Sequence, residues 1–249
     1  MIELKTPGEI DVMRRAGRIV AGLLRRVSAA AKPGVRTREL DEASADYLRR
    51  AGAAPAFLHY RGYPATLCVS VNEEVVHGIP GDRKLRAGDL VSLDAGAVVD
   101  GLFADAAVTV AVGGANAQAR RLSDTTKHAL DEGIAAATAG RRLSDISHAV
   151  QQVVEQAGFN VVRDFVGHGI GRALHEEPPV PNFGAPNVGP RLKPGMVLAI
   201  EPMVTMGGYA VRVLDDGWTV VTADRSLAAH FEHTVAITDR GPEVLTESA

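Results

Sequence analysis

Apolar residues open the chain at helical spacing. Ile10, Met13, Val20, Leu23, Leu24 and Val27 fall on one face of a 3.6-residue repeat, with charged residues between them. Thr6-Pro7-Gly8-Glu9 supplies the helix start. Threonine caps, proline suits the first turn, and a glutamate three residues on closes a capping box. Lys32-Pro33-Gly34 ends this helix, and a second runs from about Thr37 to Ala51 with Gly52 as its stop. The pattern then changes to strand over residues 65–71 and 90–112. Asp100-Gly101, between Val99 and Leu102, reads as a two-residue hairpin turn. Helices return at about 117–138 and 144–156. Beyond them, short apolar runs alternate with Gly and Pro, up to a strand predicted from Ala228 to Ile237.

Part of this pattern occurs twice. Residues 85–94 read LRAGDLVSLD and residues 192–201 read LKPGMVLAIE, matching at an offset of 107. Upstream, Gly34/Gly140, Arg36/Arg142, Ala43/Ala149 and Ala51-Gly52/Ala157-Gly158 match at an offset of 106. A chance likeness of two apolar strands would not extend to a second block at nearly the same offset. The economical reading is an internal duplication, approximately 32–112 and 138–237, within a single domain spanning residues 1–249. Each helix-plus-strand half then delivers an acid, Asp94 or Glu201, at the end of a matching strand.

The hairpin makes a first chemical prediction. With Asp100-Gly101 as its loop, Asp94 faces Ala107, so Asp105 projects from the same sheet face as Asp94. Diagonal neighbours of this kind lie roughly 7–8 Å apart at the backbone. Two carboxylates amid Val, Leu and Ala repel unless a shared cation neutralises them; a solvated sheet face is the competing account. Three more residues point the same way. His168 lies between glycines in Gly167-His168-Gly169-Ile170-Gly171, and is expected on a tight turn that exposes its ring, with His175 close behind. Glu201 ends the apolar run from Met196, where Pro202 breaks the strand. Glu232 shares a strand face with Thr234, while His233 points the other way; edge-strand exposure is the alternative for it. Four carboxylates and one neutral imidazole match the charge of two divalent cations. An oxygen-rich set of this kind suits Mn, Fe or Co at least as well as Zn.

Composition narrows the setting. The 249 residues are 46% hydrophobic and 23% charged, with a net charge of −3, which does not suggest a nucleic-acid or polyanion partner. A single cysteine, Cys68, excludes an intramolecular disulfide framework and fits a reducing cytoplasm. The start has no signal-peptide layout, and no apolar run is long enough for a membrane span.

Several stretches then carry a resemblance. They are Cys68-Val69-Ser70-Val71-Asn72 through His77-Gly78-Ile79-Pro80, Asp94 and Asp105 in their hairpin, GHGIGRALHEEP from Gly167, and AIEPM from Ala199. Asp224-Arg225-Ser226-Leu227 leading to Phe231-Glu232-His233-Thr234 completes the set. The chain resembles the type I, bacterial-type methionine aminopeptidases over essentially its whole length. The resemblance implies an α+β, pita-bread (creatinase/aminopeptidase) fold, with two pseudo-symmetric halves around a central antiparallel sheet. It implies two divalent metals (Co, Mn or Fe, with Zn or Ni as further options) held by Asp94, Asp105, His168, Glu201 and Glu232, the second and last of these bridging. It implies removal of the initiator methionine from nascent chains with a small second residue, by a metal-bridging hydroxide. Glu201 would carry the proton, His175 would stabilise the carbonyl oxygen, and His77 would contact the substrate backbone. Phe57, Tyr60, Tyr63, Cys68, Leu174 and Trp218 would form the methionine pocket. The family pattern has cysteine at the position of Phe57 and phenylalanine at that of Leu174, which bears on pocket shape and leaves the ligands alone.

The partners this implies are nascent polypeptide N-termini in the cytoplasm, with the ribosome as a further candidate and monomer as the expected state. The chain shows no zinc-ribbon or Pro-rich N-terminal extension for ribosome docking. Rival readings are the proline-specific branch of the same fold, a non-catalytic binding module, and a metal-stabilised structural domain. A Cys68–His77 nucleophile pair is a fourth, and it leaves five apparent ligands unexplained.

Overall fold

The computed structural model describes residues 2–247, and its first helix begins where the capping box places it. Helix α1 (Pro7–Ala30) has the Thr6 hydroxyl accepting from the Glu9 amide, while the Glu9 carboxylate accepts from the Thr6 amide at 2.8 Å. Its buried face includes Met13, Val20, Leu23, Leu24 and Val27, as the spacing predicts. Helix α2 (Thr37–Ala51) ends at Gly52 in the left-handed conformation. Strand β1 (Leu67–Val71) follows, tied at its start by Asp41, which accepts from the Thr66 and Leu67 amides. The hairpin strands β2 (Leu90–Val99) and β3 (Leu102–Ala111) turn at Asp100-Gly101, both with positive φ. Helices α3 (Ala117–Ala136) and α4 (Leu143–Gln156) close the α-helical part.

The second half uses shorter strands. These are β4 (Gly167–Gly169), β5 (Glu176–Val180), β6 (Val197–Ile200), β7 (Met203–Thr205), β8 (Ala228–His230) and β9 (Glu232–Thr238). One nine-stranded sheet runs β2-β3-β9-β6-β4-β5, with β1 against β2, and with Ala54–Pro55 and Gly241–Val244 at its margins. The pairings along it are antiparallel. The strand predicted from Ala228 to Ile237 is two strands. The chain breaks at Phe231, so β8 pairs β7 in a separate three-stranded sheet while β9 stays in the main one. Uninterrupted hydropathy hid this break, because both pieces are buried. Among the described residues no helix is long and apolar enough to cross a membrane.

Hydrogen bonds repeat with the sequence. The Gly34 amide donates to Leu85 O and that of Gly140 to Leu192 O; the Leu85 amide donates to Val35 O and that of Leu192 to Arg141 O. Gly88 bonds Val112 O across the end of the β2–β3 pair, and Gly195 bonds Ile237 O across the end of β6–β9. The two strand pairs therefore share a register. Asp94 faces Ala107; Ile200 faces His233, which brings Glu201 opposite Glu232. The halves meet where β3 and β9 pair, Ala107 facing Glu232 and Ala106 facing His233. The seam lies in mid-sheet, and the acids of both halves lie along it.

Candidate metal centre

Asp94 and Asp105 sit on one face of the hairpin, because Gly96, two residues from Asp94, is the partner of Asp105. Asp105 is held from the other half. Its amide donates to Thr234 Oγ1 at 3.0 Å, and that hydroxyl donates to the Asp105 carbonyl at 2.7 Å. Glu232 enters the same space from β9, an interior strand between β3 and β6, so edge exposure does not account for it. Glu232 is 3% exposed and Asp105 4%.

His168 arrives differently from the tight turn expected. It lies in β4, pairing with Ala199 of β6, and its glycine neighbours serve close backbone packing. A Cβ on Gly167 would come within 2.3 Å of Ala199 O, and one on Gly169 within 2.2 Å of Glu177 O. The backbone fixes the tautomer. His168 Nδ1 lies 2.9 Å from Gly169 O, a group that only accepts, so Nδ1 carries the proton. The Nε2 lone pair is left facing Glu201 Oε1 at 3.5 Å and Asp105 Oδ2 at 3.7 Å. Asp105, His168 and Glu232 each bring one ligand atom within 4.8 Å of the others.

This arrangement repels itself without a cation. Burial pushes the Asp94 carboxyl well above the carboxylate range, with Asp105 adding to the push. Burial holds Asp105 up at about 7. Burial and the neighbouring carboxylates raise Glu201 and Glu232 as well. Burial drives His168 down to about 4, so it is a neutral ligand at pH 7. Asp94 Oδ1 is buried with no hydrogen-bond partner among the described residues. An unpartnered acceptor, an imidazole lone pair and four carboxylates facing one space suit a divalent cation, and an orienting second bond such as His168 makes to Gly169 O is the usual accompaniment of a histidine ligand.

One cavity joins the cluster to an apolar wall. Asp94, Asp105, His168, Glu201 and Glu232 line one side. Phe57, Tyr60, Tyr63, Cys68, Leu174 and Trp218 line the other and pack in one hydrophobic cluster. His77 and His175 also line it, so the metal-ligand, catalytic and pocket residues named from the sequence are brought to one cavity. Cys68 faces Asp94 across β1–β2, and burial together with that carboxylate raises its thiol, which disfavours a thiolate nucleophile. His175 Nδ1 lies 2.9 Å from the Tyr60 hydroxyl, and its ring centroid is 4.1 Å from that of His168. His77 has φ +61 and is packed by the ring edges of Phe165 and Trp218.

Three residues escaped sequence reasoning, and a fourth, Thr234, was read only as the face neighbour of Glu232. Arg61 lines the cavity, Asn182 donates to the Glu201 carbonyl at 3.0 Å, Thr234 clamps Asp105, and His230 lies buried beside Glu201. Extending the repeat along β8 and β9 would have found the last two. The long excursion from 201 to 231, where the first half has a two-residue turn, conceals that continuation.

A sheet whose seam concentrates carboxylates around one imidazole, beside an apolar-walled cavity, suits metal-dependent hydrolysis. The model of metallopeptidase family M24 matches residues 11–239. The methionine aminopeptidase of Clostridium perfringens is 52% identical over 246 residues, covering 99% of each chain. The crystal structure of methionine aminopeptidase from Thermotoga maritima superposes with a TM-score of 0.98 at 48% identity, covering all of both chains. Prolidase from Pyrococcus furiosus shares the fold alone, with a TM-score of 0.81 at 24% identity over 99% of this chain and 66% of its own. The chain belongs to metallopeptidase family M24, in its methionine aminopeptidase branch.

Proposed function

We propose that this protein removes the N-terminal methionine from nascent proteins and peptides with a small second residue. The observation that carries this reading is the single cavity in which the carboxylate–histidine cluster adjoins the apolar wall of Phe57, Tyr63, Cys68, Leu174 and Trp218. A thioether side chain suits such a wall. Asp94, Asp105, His168, Glu201 and Glu232 would hold two divalent cations, Co, Mn or Fe. When bound, the metals supply Lewis acidity toward the scissile carbonyl and lower the pKa of water.

The chain's own residues do the rest. Glu201 accepts the proton released in the attack on the carbonyl and passes it to the departing amine. His175 Nδ1 lies 2.9 Å from the Tyr60 hydroxyl; with that hydroxyl donating, Nε2–H is free to donate to the carbonyl oxygen as negative charge develops there. Burial and the neighbouring His168 hold His175 down at about 3, so it donates as a neutral imidazole. His77, set in position by its positive-φ backbone, contacts the peptide beyond the scissile bond. The substrates are nascent chains in the cytoplasm, and the protein acts as a monomer.

The test is a peptide assay on metal-loaded and metal-free protein. Met-Ala and Met-Gly peptides should lose methionine only with divalent metal present, at a stoichiometry approaching two. Cleavage of Xaa-Pro peptides with Met-Ala peptides left intact would sink the assignment. His175→Ala should lower kcat by on the order of 10²–10³ with metal content unchanged. Loss of metal together with turnover would instead make His175 a ligand.

A further inference from the structure

His230, the last residue of β8, is a buried imidazole with no work assigned to it. It is 1% exposed, and neither Nδ1 nor Nε2 has a hydrogen-bond partner among the described residues. A buried polar group left unpaired is destabilising, so an apolar residue of similar size would fill this space more cheaply. The side chain is aimed at one candidate ligand. His230 Nε2 lies 3.8 Å from Glu201 Oε2, while the other oxygen, Oε1, faces His168 Nε2 at 3.5 Å. The two oxygens of Glu201 are thus divided between two imidazoles, one inside the ligand cluster and one outside it.

The backbone shows why His230 points there. Its amide donates to Thr109 Oγ1 at 2.9 Å, and that hydroxyl donates to the His230 carbonyl at 2.7 Å. The same two bonds hold Asp105 to Thr234. The strand registers that pair Asp94 with Ala107 and bring Glu201 opposite Glu232 also make His230 the counterpart of Asp105. The second half therefore presents an imidazole toward the cluster where the first half presents a carboxylate.

We propose that His230 is the positioning residue of Glu201. It donates from Nε2–H to Glu201 Oε2, and so commits Oε1 to the metal side. A side-chain adjustment of under an ångström brings the present 3.8 Å to hydrogen-bonding range. The inference rests on the reading of Glu201 as ligand and proton carrier.

The experiment compares His230→Leu, His230→Asn and His230→Gln. Leucine removes the donor, asparagine keeps an amide too short to reach, and glutamine restores donor and reach. Manganese titration by calorimetry should show one site weakened roughly 10–100-fold in the Leu and Asn variants and restored in the Gln variant. In Met-Ala hydrolysis, kcat should fall in the first two with KM unchanged, and recover in the third. The metal-free Leu variant should melt at or above the wild-type temperature, because it loses an unpaired polar group. Wild-type titration by the Leu and Asn variants would overturn the proposal, as would a Gln variant as impaired as they are. If the Leu variant fails to fold, the Asn–Gln pair decides alone. Glu201→Gln separates the two levels. If that variant keeps metal and turnover, the reading of Glu201 itself fails; if it loses both while His230→Leu and His230→Asn lose neither, only the role of His230 fails.

Discussion

Thr109 and Thr234 occupy matching places in the two halves, and each clamps a backbone belonging to the other half. Thr234 holds Asp105, a member of the ligand cluster; Thr109 holds His230, whose ring nitrogens have no hydrogen-bond partner among the described residues. The bonding is the same and the clamped side chains differ. A hydroxyl that both donates to a carbonyl and accepts from an amide satisfies two buried groups at once and fixes the strand whatever side chain it carries. The backbone can stay symmetric while the chemistry diverges. The first half supplies two aspartates from a tight hairpin. The second supplies a longer-armed pair, Glu201 and Glu232, together with His168.

The largest test of this contrast is Asp105→Asn. The change keeps the volume and the clamp to Thr234 and removes one charge from the seam. Metal affinity should fall by more than the roughly 10–100-fold that changes around a ligand cost, and turnover with it. Metal content and Met-Ala hydrolysis, measured together, read the outcome. Full activity would mean that the two halves do not share the cation through Asp105.

A second test lies in an ion pair of the second half. Lys5 reaches Glu176 at the start of β5 with Nζ 2.6 Å from Oε2, and both side chains are largely buried. Glu176 Oε1 also accepts from the Arg172 and Ala173 amides, which shapes the turn leading from His168 to His175. Glu176→Gln strands the lysine charge and should cost on the order of 3 kcal/mol. The pH dependence has a definite sign. Burial pushes the Glu176 carboxyl up, but Lys5 and the two amides pull it net below its ordinary 4.5. A depressed folded value stabilises above the unfolded pKa and loses that stabilisation as pH falls through the folded one. The Tm gap between wild type and variant should therefore be widest near neutral pH and shrink below about pH 4. A gap that widened in acid would refute the pairing.

How much of this could be read from the chain followed the length of its connections. Where Asp100-Gly101 joins two long strands, the turn fixed the register, and the shared face of Asp94 and Asp105 came from counting residues. The capping box and Gly52 placed α1 and α2 to within a residue or so. Between Glu201 and Glu232 the chain leaves the main sheet, builds other strands and returns, so pairing there depends on tertiary packing that no local period reveals. His168 and Glu232 consequently rested on the family resemblance, and His230 went unseen. The glycines around His168 signalled close approach correctly, but sequence alone did not tell a turn from a strand packed against backbone.

The threonine clamps themselves give the third test. Thr109→Val and Thr234→Val each remove the bonds to one buried amide and one carbonyl, at about 2 kcal/mol. For a chain of this size that corresponds to a Tm drop of about 4–8 °C in either variant. The metal should distinguish them. Thr234→Val frees the backbone of Asp105 and should weaken metal binding roughly 10-fold or more, whereas Thr109→Val acts at one remove through His230 and should weaken it less. Equal losses of metal would erase the asymmetry between the halves.

The smallest effect probes the symmetry with no site chemistry attached. Gly34 and Gly140 have φ of +92 and +90, lie exposed just before α2 and α4, and have no atom of the described residues within 4 Å of where a Cβ would stand. Each donates its amide to a leucine carbonyl, Leu85 or Leu192, at 2.8 and 2.9 Å. With no steric neighbour, alanine at either position is penalised only by the left-handed backbone, about 1–2 kcal/mol. Gly34→Ala and Gly140→Ala should therefore lower Tm by the same few degrees, with kcat and metal content untouched, and the double variant should show the sum, since the sites share no partner. Matched penalties would mean that the backbone frame is equivalent in the two halves, leaving side chains as the source of their difference. A large inequality would place that difference in the frame, and the shared register would then be a weaker guide to the relation between Asp105 and His230.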